Sequence, residues 1–206
     1  MSNICNFLGR LLRAIFPKAR FDNLTLFYVI RVVYKQLLKL NGICNISLVL
    51  KNDNDTDHKC PEDTTIILVS NLEELKNYQI PGRLNKLLGE DYFSQGSILF
   101  FLSDNNRIVS YTWLHKDFDP DGDVSLVRDK DYYIAGPAFT EIKYRGKGLG
   151  IKLKQKIKHY AQIDRQCPIY VSNQFDNIPM LKINAKDGYK VTNVIIRLKN
   201  GEKIII

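Results

Sequence analysis

From Tyr144 to Gly150 the chain reads Tyr144-Arg145-Gly146-Lys147-Gly148-Leu149-Gly150, three glycines at alternate positions with two basic residues among them. These residue types at this spacing suit the binding of a phosphate. Glycine lets the backbone turn tightly and come close to a ligand. Ahead of the loop, Tyr132–Thr140 is aromatic and β-branched enough to read as a strand. After it, Ile151, Leu153, Ile157, Tyr160 and Ala161 fit one helical face, with Leu153 near its edge. The first N–H groups of such a helix have no internal acceptor. The helix dipole adds about half a positive charge at that end, and Arg145 and Lys147 add full charges. Strand, glycine turn and helix start together make an anion site fit for a pyrophosphate. The plain alternative is a structural glycine turn before a basic surface helix.

Two nucleotide motifs fail on spacing. A Walker loop needs Gly-Lys-Ser/Thr at its end, and Gly148 is followed by Leu149; the dinucleotide fingerprint needs G-x-G-x-x-G, and the glycines here run G-x-G-x-G. The pattern that fits is Arg-x-x-Gly-x-Gly, carried by Arg145, Gly148 and Gly150. It resembles the coenzyme A pyrophosphate loop of the GNAT (Gcn5-related) N-acetyltransferases. A second segment agrees in order and spacing. The short apolar strand Pro168–Ser172 is followed by Asn177, a helix-like run to Lys186, and Gly188-Tyr189. GNAT proteins carry Asn, a short helix and Gly-Phe or Gly-Tyr after the corresponding strand. The resemblance covers roughly Thr64 to the C-terminus, with specific motifs in the last third.

The resemblance implies a mixed, mostly antiparallel twisted sheet flanked by helices, an α/β (α+β) fold. It also implies acetyl-CoA as co-substrate and direct transfer of an acetyl group to an amine. Arg145, Gly146, Lys147, Gly148, Leu149 and Gly150 would hold the pyrophosphate. Phe139 and Thr140, at the end of their strand, would lie closest to the loop, and the strand backbone would serve the pantetheine arm and the oxyanion. Asn177 would contact the coenzyme.

The chemistry needs a neutral amine, so something must take its proton. The developing oxyanion needs a donor, and the leaving thiolate needs a proton or a hydrogen bond. Many GNAT members place a Tyr four residues before the Gly-Phe pair as that donor. Here the position is Asn184, and an amide can hydrogen-bond but cannot give up a proton this way. The general acid is then absent, a water, or another residue such as Tyr132 or Tyr133. For the base, Glu141, His115 and His159 are candidates. Each also has a plain structural reading: Glu141 facing solvent beside the loop, His115 ending a strand, His159 on a helix surface. The rival class is a non-catalytic module that binds coenzyme A or a partner on the same fold. A third reading is a basic membrane-peripheral protein whose glycine turn is structural.

The elements that must position these residues follow from the rest of the chain. Its 206 residues suffice for one sizeable core plus an extension. We read residues 1–63 as an N-terminal helical extension with a strand and a polar loop, and residues 64–206 as the acyltransferase domain. Residues 3–16 read as a short amphipathic helix ended by Pro17, and Asn23 to Leu40 as a second, apolar one. Of the net charge of +8, six charges fall in residues 1–40, where Arg10, Arg13, Lys18, Arg20, Arg31, Lys35 and Lys39 face only Asp22. The basic bias is thus local. The two helices suit contact with an anionic membrane surface, or packing on the domain or on a second subunit as in a homodimer, and they lack the pattern of a nucleic-acid reader.

Ile43 to Leu50 alternates like a strand, and Lys51 to Asp63 reads as an exposed loop. Thr65–Val69 reads as a strand, Ser70 or Asn71 as the cap of a helix through Tyr78, and Pro81–Leu88 as a further helical piece. Ser97–Ser103 and Arg107–Leu114 form a hairpin about Asp104-Asn105-Asn106. Asp117, Asp119, Asp121 and Gly122 mimic the start of a calcium loop, but its twelfth position is Arg128 instead of Glu. An acidic turn is expected there, and no metal. Cys5, Cys44, Cys60 and Cys167 show no metal or redox spacing. They suit reduced thiols of a cytoplasmic protein, or a Cys44–Cys60 pair in a secreted one. No secretory signal or membrane span is read.

Overall fold

The computed structural model describes residues 43–52, 66–88, 91–124, 131–165 and 167–205. The helices expected over 3–16 and 23–40, His58, Cys60 and Arg128 lie outside them. Asn52–Val171 form one compact unit, and the described residues before and after it form another.

In the central unit, β2 (Ile66–Val69), β3 (Ile98–Asp104), β4 (Arg107–Lys116) and β5 (Tyr133–Thr140) pair antiparallel in that order. β6 (Ile169–Gln174) then pairs with β5 in parallel, so the sheet is mixed and mostly antiparallel. The β3–β4 hairpin turns on Asn105 and Asn106, with φ of 50° and 60°. Asn tolerates this left-handed conformation better than most residues. From Ile108 to His115 β4 is buried continuously. It therefore reads as a central strand covered on both faces, not a half-exposed one.

Each face has its own cover. The short helix α1 (Gly82–Leu88) sets the fully buried Leu84 into a cluster with Leu99, Phe101, Tyr111 and Trp113. Phe100 alternates with those residues and so faces the other side. There its ring meets Tyr160 of α2 (Leu149–Arg165) at 5.6 Å. Leu153, Ile157 and Ala161 are the buried stripe of α2, while Ile151 is 38% exposed. The expected apolar face was therefore rotated: Leu153 is central, and Ile151 lies near the helix start, outside the stripe.

The helix expected from Ser70 or Asn71 to Tyr78 is a single 3-10 turn, Glu73–Leu75. Its N-cap is Leu72 instead of Ser70 or Asn71, although the Glu74 N–H donates to Asn71 Oδ1 at 3.2 Å. It stops because Gln79 is taken by β4. The Gln79 N–H donates to the Asn106 carbonyl at 2.7 Å, and its carbonyl accepts from the Ile108 N–H at 3.1 Å. Too few residues remain between the cap and that bridge for a longer helix.

In the other unit, β1 (Ile43–Asn52) pairs antiparallel with β7 (Lys190–Leu198), and β7 with β8 (Lys203–Ile205). Ile46 to Leu50 are all buried, so β1 lacks the exposed alternate face that its sequence suggests. Its partner comes from far along the chain, Leu48 lying opposite Val194. The sequence predicts no element beyond Lys190, so β7 and β8 are additions. Helix α3 (Ile178–Lys186) carries Pro179 in its first turn and buries Leu181 and Asn184.

Candidate functional site

The glycine loop has the shape its composition demands. Gly146 and Gly148 each have φ of +77°, and a Cβ added at either would meet nothing within 4 Å. The requirement for glycine is thus conformational, and the space above both residues is open. Gly150 has an ordinary φ, and its added Cβ would only touch Thr140 Oγ1 at 4.0 Å. The fold does not need glycine there, although glycine costs a helix about 1 kcal/mol against alanine. The first bonds of α2 run from the N–H groups of Ile151 and Lys152 to the Gly148 carbonyl. The N–H groups of Gly148, Leu149 and Gly150 thus stand outside the helix ladder.

Basic side chains surround this end. Arg145 is tied to the end of β5, its Nε–H donating to the Thr140 carbonyl at 3.0 Å. Lys147 Nζ lies 5.0 Å from the Tyr144 ring centroid, with Lys143 Nζ also over that ring at 4.7 Å. The Tyr144 hydroxyl donates to Asp104. The arrangement can hold an anion by backbone donors, by the helix dipole and by the side-chain charge of Arg145 and Lys147.

β5 is the second component. Its parallel ladder to β6 comprises Tyr133 opposite Ile169 and Ile134 opposite Tyr170, and no further couple. From Ala135 to Thr140 the edge toward β6 has no ladder partner among the described residues, while the other edge stays paired to β4 through Thr140. That open edge runs straight to the glycine loop, with Phe139 and Thr140 last before it. The β4 ladder is itself irregular there. Thr112 faces Ala138 and Leu114 faces Ala135, so Gly136 and Pro137 share the position opposite Trp113.

His115 secures this irregularity. Its ring is fully buried, with Nε2 2.6 Å from the Gly136 carbonyl and Nδ1 2.6 Å from Ser97 Oγ. A carbonyl only accepts, so Nε2 carries the proton and donates. Burial holds the ring neutral, pushing its pKa down to about 4 against the opposing pull of the Gly136 carbonyl and Asp119. Nδ1 then accepts from the Ser97 hydroxyl. Tyr92, Trp113 and Phe118 enclose the ring, with centroids at 4.9, 6.1 and 5.4 Å. With both nitrogens engaged and the ring sealed, His115 positions β5 and is not the solvent-side base the sequence allowed. Its period of two with Tyr111 and Trp113 was the available signal for this inward placement.

The other candidates fall out as follows. Tyr132 and Tyr133 are both buried. The Tyr132 N–H donates to Asp117 Oδ1, and the Tyr133 N–H donates to the Pro168 carbonyl. Glu141 does not face solvent freely: its side chain is 12% exposed, and Oε1 accepts from Arg107 Nε and Nη2 at 2.9 and 2.7 Å. His159 is half-buried on α2. Asp117 turns through φ of 52°, and its carboxylate serves Tyr132 within the acidic turn. Among the described residues no group of three or more His, Cys, Asp or Glu side chains is placed to hold a metal. No described helix is long and apolar enough to cross a membrane.

Asn177 and Asn184 belong to the other unit. Asn177 is exposed at the N-terminus of α3, and its side chain makes no capping bond. Asn184 is fully buried, and neither its Oδ1 nor its Nδ2 meets a hydrogen-bond partner among the described residues. Tyr189 is buried beside Asp187, and burial raises its phenol above the usual range.

No described protein family matches the sequence, and no curated protein does. Solved structures do match. One is a protein assigned to the GNAT acetyltransferases from Novosphingobium aromaticivorans, at a TM-score of 0.51 and 14% identity, over 74% of this chain and 62% of that one. A tandem GNAT protein of the clavulanic acid biosynthesis pathway matches at 0.50 and 14%, over 79% and 56%. A glucosamine N-acetyltransferase region of a fungal multi-domain β-N-acetylglucosaminidase matches at 0.50 and 14%, over 80% and 22%. The chain spans less than two thirds of each of these structures. At this identity the likeness is one of fold, and the fold is that of the GNAT acetyltransferases.

Proposed function

On this GNAT fold, we propose an acetyl-CoA-dependent N-acetyltransferase that passes the acetyl group directly to a small amine. The observation that carries the reading is the loop itself. Gly146 and Gly148 hold left-handed conformations under open space, at the start of α2, with Arg145 anchored on Thr140. A turn needed only for chain reversal has no use for the further glycine at 150 or for cations on both sides of Gly146. A pyrophosphate uses all of them.

In this reading the open edge of β5 from Ala135 to Thr140 takes the pantetheine arm, and its N–H groups stand toward the thioester carbonyl. The amine lone pair attacks that carbonyl carbon, the C–S bond breaks, and the thiolate leaves. The amine loses one proton and the thiolate gains one. Glu141 is committed to Arg107, so a water is the better carrier of the amine proton. The acceptor class includes amino sugars, in keeping with the glucosamine-acetylating structural neighbour. The second reading, a coenzyme-binding module without turnover, is favoured by one observation: the position expected to donate to the thiolate holds Asn184, an amide.

The test is calorimetric titration with acetyl-CoA, followed by thiol release with a panel of amines. Binding is expected in the wild type, and loss of binding in Gly148→Asp, which adds bulk and negative charge where the phosphate sits. Equal affinity in a folded Gly148→Asp protein would sink the loop assignment. Binding without thiol release from any amine would favour the non-catalytic module.

A further inference from the structure

Beside the glycine loop, on the α1 side of the sheet, lies a group of side chains that donate hydrogen bonds or carry positive charge. Phe139 stands between two guanidiniums, with Arg83 Cζ 5.3 Å and Arg145 Cζ 5.9 Å from its ring centroid. Arg145 is already bonded to Thr140. Arg83 is exposed on α1 and pairs with no carboxylate among the described residues. Opposite Phe139 on β4 is Tyr111, the two rings 5.7 Å apart. Tyr111 is 1% exposed, and its hydroxyl has no hydrogen-bond partner among the described residues. One strand repeat along the same face, Trp113 Nε1 is likewise buried without a partner.

Buried donors without acceptors are rare in native proteins, since each costs about 1–3 kcal/mol. The Tyr111 hydroxyl, against the Phe139 ring that Arg83 also covers, is the one of the two that stands next to a guanidinium. We propose that this face binds a carboxylate or phosphate carried by the amine acceptor, with Arg83 as counter-charge and Tyr111 as hydrogen-bond donor. The proposal rests on the acetyltransferase reading and narrows its acceptor to amines that also bear an anionic group. The Arg83 charge reaches the Tyr111 phenol, partly offsetting the burial that raises it to about 12. Tyr111 therefore stays protonated, and a donor, throughout the neutral range.

The chain supplies its own reporter, because Trp113 is its only tryptophan. The experiment follows Trp113 fluorescence in the full-length protein at constant ionic strength. The probes are succinate and inorganic phosphate, with uncharged succinamide as control. A saturable change is expected with an anionic probe at millimolar concentration, and none with succinamide. Arg83→Met should weaken anion binding about tenfold or more, as loss of a charge-assisted bond does. Tyr111→Phe should weaken it about threefold or more. That variant removes only an unpartnered hydroxyl, so it keeps its fold and reads the binding term alone. Saturating acetyl-CoA should leave the probe affinity unchanged, because the acceptor and coenzyme sites are distinct. Competition between acetyl-CoA and the anion would assign the site to the coenzyme's own phosphates and overturn the proposal. So would the absence of a saturable change, an equal response to succinamide, or full affinity in Arg83→Met. The probes need no turnover, so failure of acetyl-CoA to bind in calorimetry would refute the transferase reading separately.

Discussion

Replacing His115 by Gln tests the buried imidazole, and the expected effect follows from its burial. The folded ring takes a proton only near pH 4, whereas an unfolded one does so near 6.5. Between those values the unfolded chain binds more protons, so stability falls as the pH falls. The contribution is complete above about 6.5, declines toward 4 and then levels off. At about 1.4 kcal/mol per pH unit the whole window is worth about 3 kcal/mol, and the part between pH 6.5 and 5 about 2 kcal/mol. Urea unfolding of wild type and His115→Gln at pH 7 and pH 5 measures that part directly. Carboxylates titrate in both proteins and cancel in the comparison. The variant is expected to be less stable at pH 7, since Gln fits the Ser97–Gly136 span less well, yet to lose about 2 kcal/mol less than wild type on going to pH 5. Equal losses in the two proteins would refute the sealed, neutral ring. So would an NMR titration in which every imidazole of the three histidines protonates near 6.5.

Asn184→Leu removes a buried amide whose polar atoms lack described partners; thermal unfolding should show a gain of about 1–2 kcal/mol, and a loss instead would mean that the amide is satisfied in solution. Glu141→Gln breaks a half-exposed pair with Arg107; a stability loss under about 1 kcal/mol is expected, with thiol release unchanged, and abolished release in the folded variant would make Glu141 the base. Deleting residues 1–40 is expected to change the number of subunits found by light scattering or the partitioning onto anionic vesicles; if both persist, that segment mediates neither.

The parts of the fold legible in sequence are those where backbone conformation restricts residue choice. Gly146 and Gly148 need positive φ, and Asn105-Asn106 make a left-handed turn, so the loop and the β3–β4 hairpin could be read directly. What stayed hidden depends on partners distant in sequence. The Ser70–Tyr78 segment has helix-forming residues, but Gln79 is recruited by β4 about thirty residues on. Glu141 reads as a surface acid until Arg107 is placed against it. On α2, Ile151 is as apolar as Leu153, and only the packing against β3–β5 decides which of them is covered. β7 opens on the polar run Lys190-Val191-Thr192-Asn193, which concealed the buried Val194–Ile196 behind it. For the candidate site, the glycine loop was visible from its spacing. The donor face of Arg83, Tyr111 and Trp113 was not, because it is assembled from α1 and β4.

The pairing of β1 with β7 also sets an order of events at the ribosome. Leu48 and Val194 meet across the ladder, yet about 140 residues separate them in the chain. At about 5–20 residues per second, β1 is synthesised roughly 7–30 s before β7 exists. During that interval the edge of β1 that β7 will take, along Ile46, Leu48, Val49 and Leu50, is open, the kind of edge that recruits other chains. The unit from Asn52 to Val171 contains its own strand neighbours and has no need to wait. Synthesis from the N-terminus thus favours a nascent chain that completes its middle first and leaves one edge of β1 open until β7 emerges to cover it.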